Sequence, residues 1–233
     1  MSSHLTRRRF LAAAGSLLAA PAAFAQPMPI LPPADVGEPR RPLPADPRGP
    51  QPPAAEVNPD EWFLESVPDG PFQVRKVNFE MLDPEFRRQL VPFRMAEQPG
   101  TLVVDPRHHF LYSVREGAEA IRYGVGVGRE GFGWRGRATV GRKQEWPDWY
   151  PPKEMRLRQP ELPEKMPGGP ENPLGARALY LFEGNRDTLY RIHGTAEPWT
   201  IGTDVSSGCI RMLNEEVIDL YRRTPIGTRV VVL

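Results

Sequence analysis

The chain has one cysteine in 233 residues. A single thiol cannot close an intramolecular disulfide, so a small domain stapled by oxidation is excluded. Three uses remain for it: a buried inert thiol, a bridge to another molecule, or a nucleophile. Histidine is scarce too, with only His4, His108, His109 and His193. With one cysteine these show no recognised ligand spacing, so no metal site and no cofactor are expected. No apolar run beyond the first 25 residues approaches the ~20 residues of a transmembrane helix. Neither charge sign dominates, with 30 Lys and Arg against 29 Asp and Glu. The basic stripe of a nucleic-acid binder is missing, so nucleic acid is not an expected partner. The glycine run "GVGVGREGFG" has no helix pattern after it, which a phosphate-binding loop requires. Its glycines alternate at strand spacing and mark bends and close packing.

What is present begins with "TRRRFLAAAGSLLAAPAAFAQ". Arg7, Arg8 and Arg9 precede an apolar stretch from Phe10 to Ala23, and Ala23-Phe24-Ala25 stands before Gln26. This is the layout of a cleaved signal peptide over residues 1–25. Arg7-Arg8 with Phe10-Leu11 resembles a twin-arginine signal, and Sec export and an uncleaved anchor are the alternatives. Without the signal, 27 basic residues face 29 acidic ones. The expected location is the periplasm. Residues 26–59 hold twelve prolines and few large apolar side chains. Proline favours extended backbone, so this segment reads as a disordered, semi-rigid tether, with a ligand for a proline-binding partner as the alternative.

Residues 60–99 form a lead-in that mixes apolar and charged residues. In it "DPEFRRQLV" predicts a short helix with Asp83 as cap and Pro84 at its first position. From residue 100 the pattern turns to strands: "GTLVVDPRHHFLYSV", "AIRYGVGVG", "ATVGRKQEW", "ALYLFEG", "LYRIHG" and "TRVVVL". Short strands with Gly and Pro between them imply a mainly β fold, a sandwich or barrel with a few short helices. One helix is expected over "NEEVIDLYRR", with Asn214 as N-cap and Val217, Ile218 and Tyr221 on one face. Pro and Gly crowd residues 147–173, and a stretch that long reads as a lid.

Cys209 precedes that helix on a tight turn after Gly208. There it would lie among backbone N–H groups, which lower a thiol's pKa from ~8.5. His193 ends a strand-like run, followed by Gly194. Cys209 lies sixteen positions further on, and the intervening residues include Pro198, Gly202 and Gly208, so the chain can turn back and join the two. An imidazole can take a thiol proton and later return it to a leaving amine. A thiol-redox role is disfavoured, because no second cysteine resolves an oxidised one.

The stretches "IHGT…EPW.IG…VSSGCIRM.N", "VGRKQEWPDWYPP" and "MPGGPENPLGARALYL" resemble the catalytic domain of the L,D-transpeptidase (YkuD-type) family. The resemblance covers residues 100–233. It implies that Cys209 attacks the third-residue carbonyl of a peptidoglycan tetrapeptide stem, releases D-Ala and forms a thioester. An amine then takes the acyl group. A neighbouring stem would give a 3→3 crosslink, and an outer-membrane protein would be anchored. Water would make the enzyme a carboxypeptidase, and a non-catalytic wall-binding module is the other alternative. His193 corresponds to the family's base, oriented by a backbone carbonyl near Gly194. The backbone N–H groups of Gly208 and Cys209 are the nearest oxyanion donors. The family usually has histidine where this sequence has Ser207, which is expected to shape the turn through a hydrogen bond. Arg211 is a candidate for a stem carboxylate or for a structural ion pair. Trp146, Trp149, Tyr150 and Trp199 line a groove or simply pack, and Asn172 and Arg177 would shape the site from the side. Oligomeric state is not fixed by any of these residues.

Overall fold

The computed structural model describes residues 57–129, 134–206 and 208–233. The signal and nearly all of the proline-rich segment lie outside these residues, as does Ser207. In chain order, β1 (Phe63–Asp69) and β2 (Phe72–Val77) form an antiparallel hairpin. Then come β3 (Gln89–Pro92), β4 (Leu102–Asp105), β5 (Phe110–Arg115), β6 (Glu119–Gly124), β7 (Val127–Gly128) and β8 (Gly136–Glu145). The helix α1 (Lys153–Arg158) leads to β9 (Arg177–Glu183), β10 (Arg186–His193), β11 (Asp204–Ser206) and β12 (Ile210–Arg211). The helix α2 (Asn214–Arg223) and β13 (Arg229–Val232) end the chain.

Nine strands make one mixed sheet in the order β12-β10-β9-β8-β13-β4-β5-β6-β3, and β7 pairs with β11 apart from it. The fold is mainly β, with one helix of three turns after the cysteine turn. Beyond β6 the chain reaches Gly126, whose N–H and C=O bond Arg211 of β12 at 3.0 and 2.8 Å. An extension of β6 thereby meets the opposite end of the strand order, and the sheet curls back on itself as in a barrel. Gly126 is required there, because a Cβ would sit 2.6 Å from the Thr200 carbonyl oxygen.

Alternation along the strands separates two faces. Leu102 and Val104 of β4, and Val230 and Val232 of β13, point into the main core with Leu179, Leu181 and Ile192. Val103 and Val231 point the other way, onto Phe93 and Val114. The helix α2 covers the main core with Val217 and Leu220, fully buried one turn apart. Its third buried residue is Glu216, and burial pushes that carboxyl up to about 8. Ile218 packs instead on a smaller cluster with Val74, Trp146 and Ala176.

Two helix expectations need correction. "DPEFRRQLV" makes only a 3-10 turn over Pro84–Phe86, with the Asp83 carboxylate accepting from Glu85 N–H at 2.9 Å. The remainder becomes β3, because pairing with β6 offers a full ladder to a segment with too few residues for a stable helix. Asn214 is the first residue of α2 and not its cap; Leu213 holds the cap position without a side-chain bond. The Asn214 amide is used for tertiary bracing: Oδ1 accepts from Ala176 N–H and Nδ2 donates to the Thr195 carbonyl, both at 2.9 Å.

One acid of the lead-in hairpin reaches across to the sheet. Asp69, at the end of β1, receives both terminal nitrogens of Arg177 at 2.6 and 2.8 Å and the Trp146 indole N–H at 2.9 Å. The Arg177 side chain is 5% exposed and that of Asp69 13%. Hydrogen bonds from Arg177 hold the Asp69 carboxyl below its ordinary value, against the opposing effect of burial. Asp69→Asn should leave the buried Arg177 with only Glu145, at 3.8 Å, as a charge partner, costing about 3 kcal/mol in chemical denaturation. A depressed carboxyl pKa gives stability that is present above about pH 4 and is lost as pH falls through the native value. The asparagine variant should therefore lack that part of the acid limb of the wild-type stability curve.

Candidate active site

The short strand β12 lies parallel to β10, with Ile192 opposite Ile210 and His193 opposite Arg211. The Met212 N–H bonds the His193 carbonyl at 2.8 Å. Cys209 stands just ahead of β12, so this register carries the thiol and the imidazole to one wall. Gly208 makes the turn before it with φ 120°. Its backbone is pressed against β7, where a Cβ on Gly128 would fall 2.6 Å from Gly208 Cα. Cys209, His193 and Arg211 line a cleft of about 460 Å³ together with Trp149, Leu189 and Tyr190.

His193 is buried, and its Nδ1 lies 2.6 Å from the Gly194 carbonyl. A carbonyl only accepts, so the proton sits on Nδ1 and Nε2 keeps a lone pair. Burial, then the charge of Arg211, lowers the imidazole pKa to about 3, with the Gly194 bond opposing and Arg191 adding to the fall. The ring is therefore neutral at neutral pH.

The thiol departs from expectation. Along the chain, β12 stands between Cys209 and the start of α2. Part of the residue is exposed, yet protein atoms surround the sulfur and burial pushes the thiol up. The charge and backbone N–H of Arg191, with the charge of Arg211, pull the other way, and Asp187 opposes them. The resting pair is a neutral thiol and a neutral imidazole. Ser206 Oγ accepts from Gly208 N–H at 3.0 Å and donates to the Cys209 carbonyl at 2.6 Å. The Gly208 N–H is thus already committed and is not a free oxyanion donor.

The other candidates divide. Arg211 faces the cleft and also pairs with Glu197 at 2.7 Å. Trp149 lines the cleft and bonds Met166 through both backbone groups at 2.8 Å, closing the base of the segment that carries α1. Tyr150, 64% exposed, lies outside the cleft lining. Trp199 packs edge-on against Trp62 at 6.4 Å, and Trp146 against Phe72 at 5.0 Å. Asn172 is buried, donating to the Met166 and Pro167 carbonyls and accepting from Leu174 N–H. Arg177 is held by Asp69. None of these four is among the residues that line the cleft. Sequence reasoning passed over Asp187, Leu189, Tyr190 and Arg191. The signal for them is a broken alternation in "RDTLYRIH".

The sequence profile of the YkuD family, described as the L,D-transpeptidase catalytic domain, matches residues 99–232. The chain belongs to this L,D-transpeptidase family. It is 42% identical over 99 residues to "Probable L,D-transpeptidase ErfK/SrfK" of Escherichia coli, covering 41% of this chain and 30% of that protein. It is 36% identical over 138 residues to "Probable L,D-transpeptidase YbiS" of the same organism, covering 55% and 43%. The match thus spans less than half the length of either relative. A solved structure from Brucella melitensis, "Probable carnitine operon oxidoreductase caia", is 52% identical and covers 67% of this chain and 99% of that one, with a TM-score of 0.45.

The neutral imidazole of this L,D-transpeptidase domain is testable. Ring carbon–proton shifts of His193 should not titrate between about pH 5 and 8, and a midpoint near the ordinary ~6.5 would contradict its burial. The sign for stability follows: the contribution of a neutral His193 is complete above about pH 6.5 and declines as pH falls toward 3.

Proposed function

We propose that this domain is a cysteine-dependent acyltransferase acting on peptidoglycan stem peptides. The observation that carries the reading is that the only cysteine and a buried histidine with its base nitrogen free share one cleft. Cys209 attacks the carbonyl of the third stem residue, at its L centre, and the thiol proton passes to His193 Nε2. Because both groups rest neutral, the proton moves as the sulfur attacks, and Arg191 and Arg211 favour the thiolate as it develops. The tetrahedral oxyanion takes a hydrogen bond from the Cys209 N–H. Collapse expels D-Ala, whose nitrogen is protonated by His193, and leaves a thioester on Cys209. An amine of a neighbouring stem, or of an outer-membrane protein, then attacks the thioester, with His193 accepting its proton. A 3→3 crosslink or an anchored protein results, and water in that role gives carboxypeptidase trimming. Export to the periplasm by the signal over residues 1–25 places the domain beside this substrate. Among the described residues no helix is long and apolar enough to cross a membrane.

A non-catalytic wall-binding module is the competing reading. It would have no use for a thiol paired with a neutral base. Incubating the mature protein with tetrapeptide muropeptides and weighing the products separates crosslinking, trimming and inertness. Cys209→Ala should abolish turnover and leave the melting temperature nearly unchanged, since the side chain fills no core cluster. A carbapenem should add its mass to the wild type alone. An adduct or full activity in the alanine variant would refute the assignment.

A further inference from the structure

The strand β10 is irregular where it passes the thiol. Asp187 pairs with Phe182 and Arg191 with Tyr180 of β9, so four residue steps on β10 face two on β9. The surplus is taken up around Leu189, which has a φ of 64°. That conformation is strained for leucine, and bulges with such strain gather at functional sites. The distortion is firmly built. Asp187 Oδ1 accepts from Leu189 N–H at 2.8 Å, and Oδ2 pairs with Arg191 Nη2 at 3.6 Å. Arg191 Nη1 donates back to the Leu189 carbonyl, and its guanidinium lies 4.7 Å from the centre of the Tyr180 ring. Thr188 Oγ1 donates to the Leu181 carbonyl at 2.7 Å and accepts from Tyr190 N–H at 3.2 Å.

This frame turns two backbone groups toward one atom. The Leu189 carbonyl lies 3.9 Å from Cys209 Sγ, within reach of an S–H donor. The Arg191 N–H is directed at the same sulfur. The acceptor suits the thiol and the donor suits the thiolate. The Leu189 side chain, meanwhile, stands 70% exposed at the cleft rim, so no packing of its own requires the bulge.

We propose that the β10 bulge is a positioning device for the nucleophile, in which Asp187 fixes the Leu189–Arg191 backbone around the Cys209 sulfur and the Arg191 guanidinium favours the thiolate. The inference rests on Cys209 being the nucleophile. The charged groups facing the sulfur are Arg191 and Asp187 from β10 and Arg211 from β12, and the titratable neutral neighbours are His193 and Tyr190. Arg211 is tied to Glu197. Arg191 is the cation that the bulge itself sets in place.

The rate of Cys209 alkylation by iodoacetamide, followed by mass from about pH 6 to 11, reports the thiolate fraction with no substrate present. In the mature protein, Arg191→Gln should move the midpoint up by about one pH unit, which slows alkylation at neutral pH about tenfold. Arg191→Lys, which keeps the charge, should recover most of that shift. Arg191→Met is a second uncharged variant in case the glutamine form does not fold, and melting temperatures are recorded for all. A midpoint unmoved in the folded uncharged variants overturns the proposal, as does a shift in Arg191→Lys as large as in Arg191→Gln. Alkylation needs no peptide, so its failure is distinct from failure with muropeptides: the second removes the donor assignment, the first only the role of the bulge.

Discussion

Two residues hold the site together. Ile210 and Arg211 form a strand only two residues long, yet it is bonded on both sides. On one side it pairs with β10, and on the other Arg211 exchanges both backbone bonds with Gly126. The first contact sets His193 opposite Arg211, two residues after Cys209. The second joins the two ends of the curled sheet. A strand this short has no stability of its own, so the relation of thiol to imidazole is borrowed from the closure of the whole barrel. Gly126 and Gly128 are the points where that closure leaves no room for a side chain.

Burial then decides the chemistry. Enclosing His193 keeps it neutral, and the Gly194 carbonyl decides which nitrogen carries the proton. Enclosing the Cys209 sulfur keeps the thiol protonated against the pull of two arginines. A neutral pair has little free thiolate to lose to oxidants. The same arginines that lower the basicity of the imidazole favour the thiolate.

Much of the fold could be read along the chain. The strands from Leu102 to Val140 and from Ala178 to Phe182 alternate or run apolar as their burial requires, and the turn at Asp105-Pro106 is local chemistry. The misread elements share a cause. Asn214 looked like a cap because caps are judged from neighbours in sequence, whereas its amide bonds Ala176 and Thr195, far away in the chain. Arg177 looked like a residue shaping the site from the side and Trp146 like a groove residue, and both are claimed by Asp69, an acid over seventy residues upstream. Nothing in the local pattern of "NPLGAR" announces such a partner.

The sequence by itself determined which groups are available: one thiol, one histidine followed by glycine, and a glycine at each place where backbone must touch backbone. These are properties of residue type and spacing, and they do not depend on distant neighbours. Only the tertiary structure decided the protonation of those groups and the company they keep. Desolvation and the fields of Arg191, Arg211 and Asp187 depend on which chain segments close over the cleft. The bulge that brings Leu189 and Arg191 to the sulfur belongs to the pairing of β10 with β9, which neither segment expresses alone.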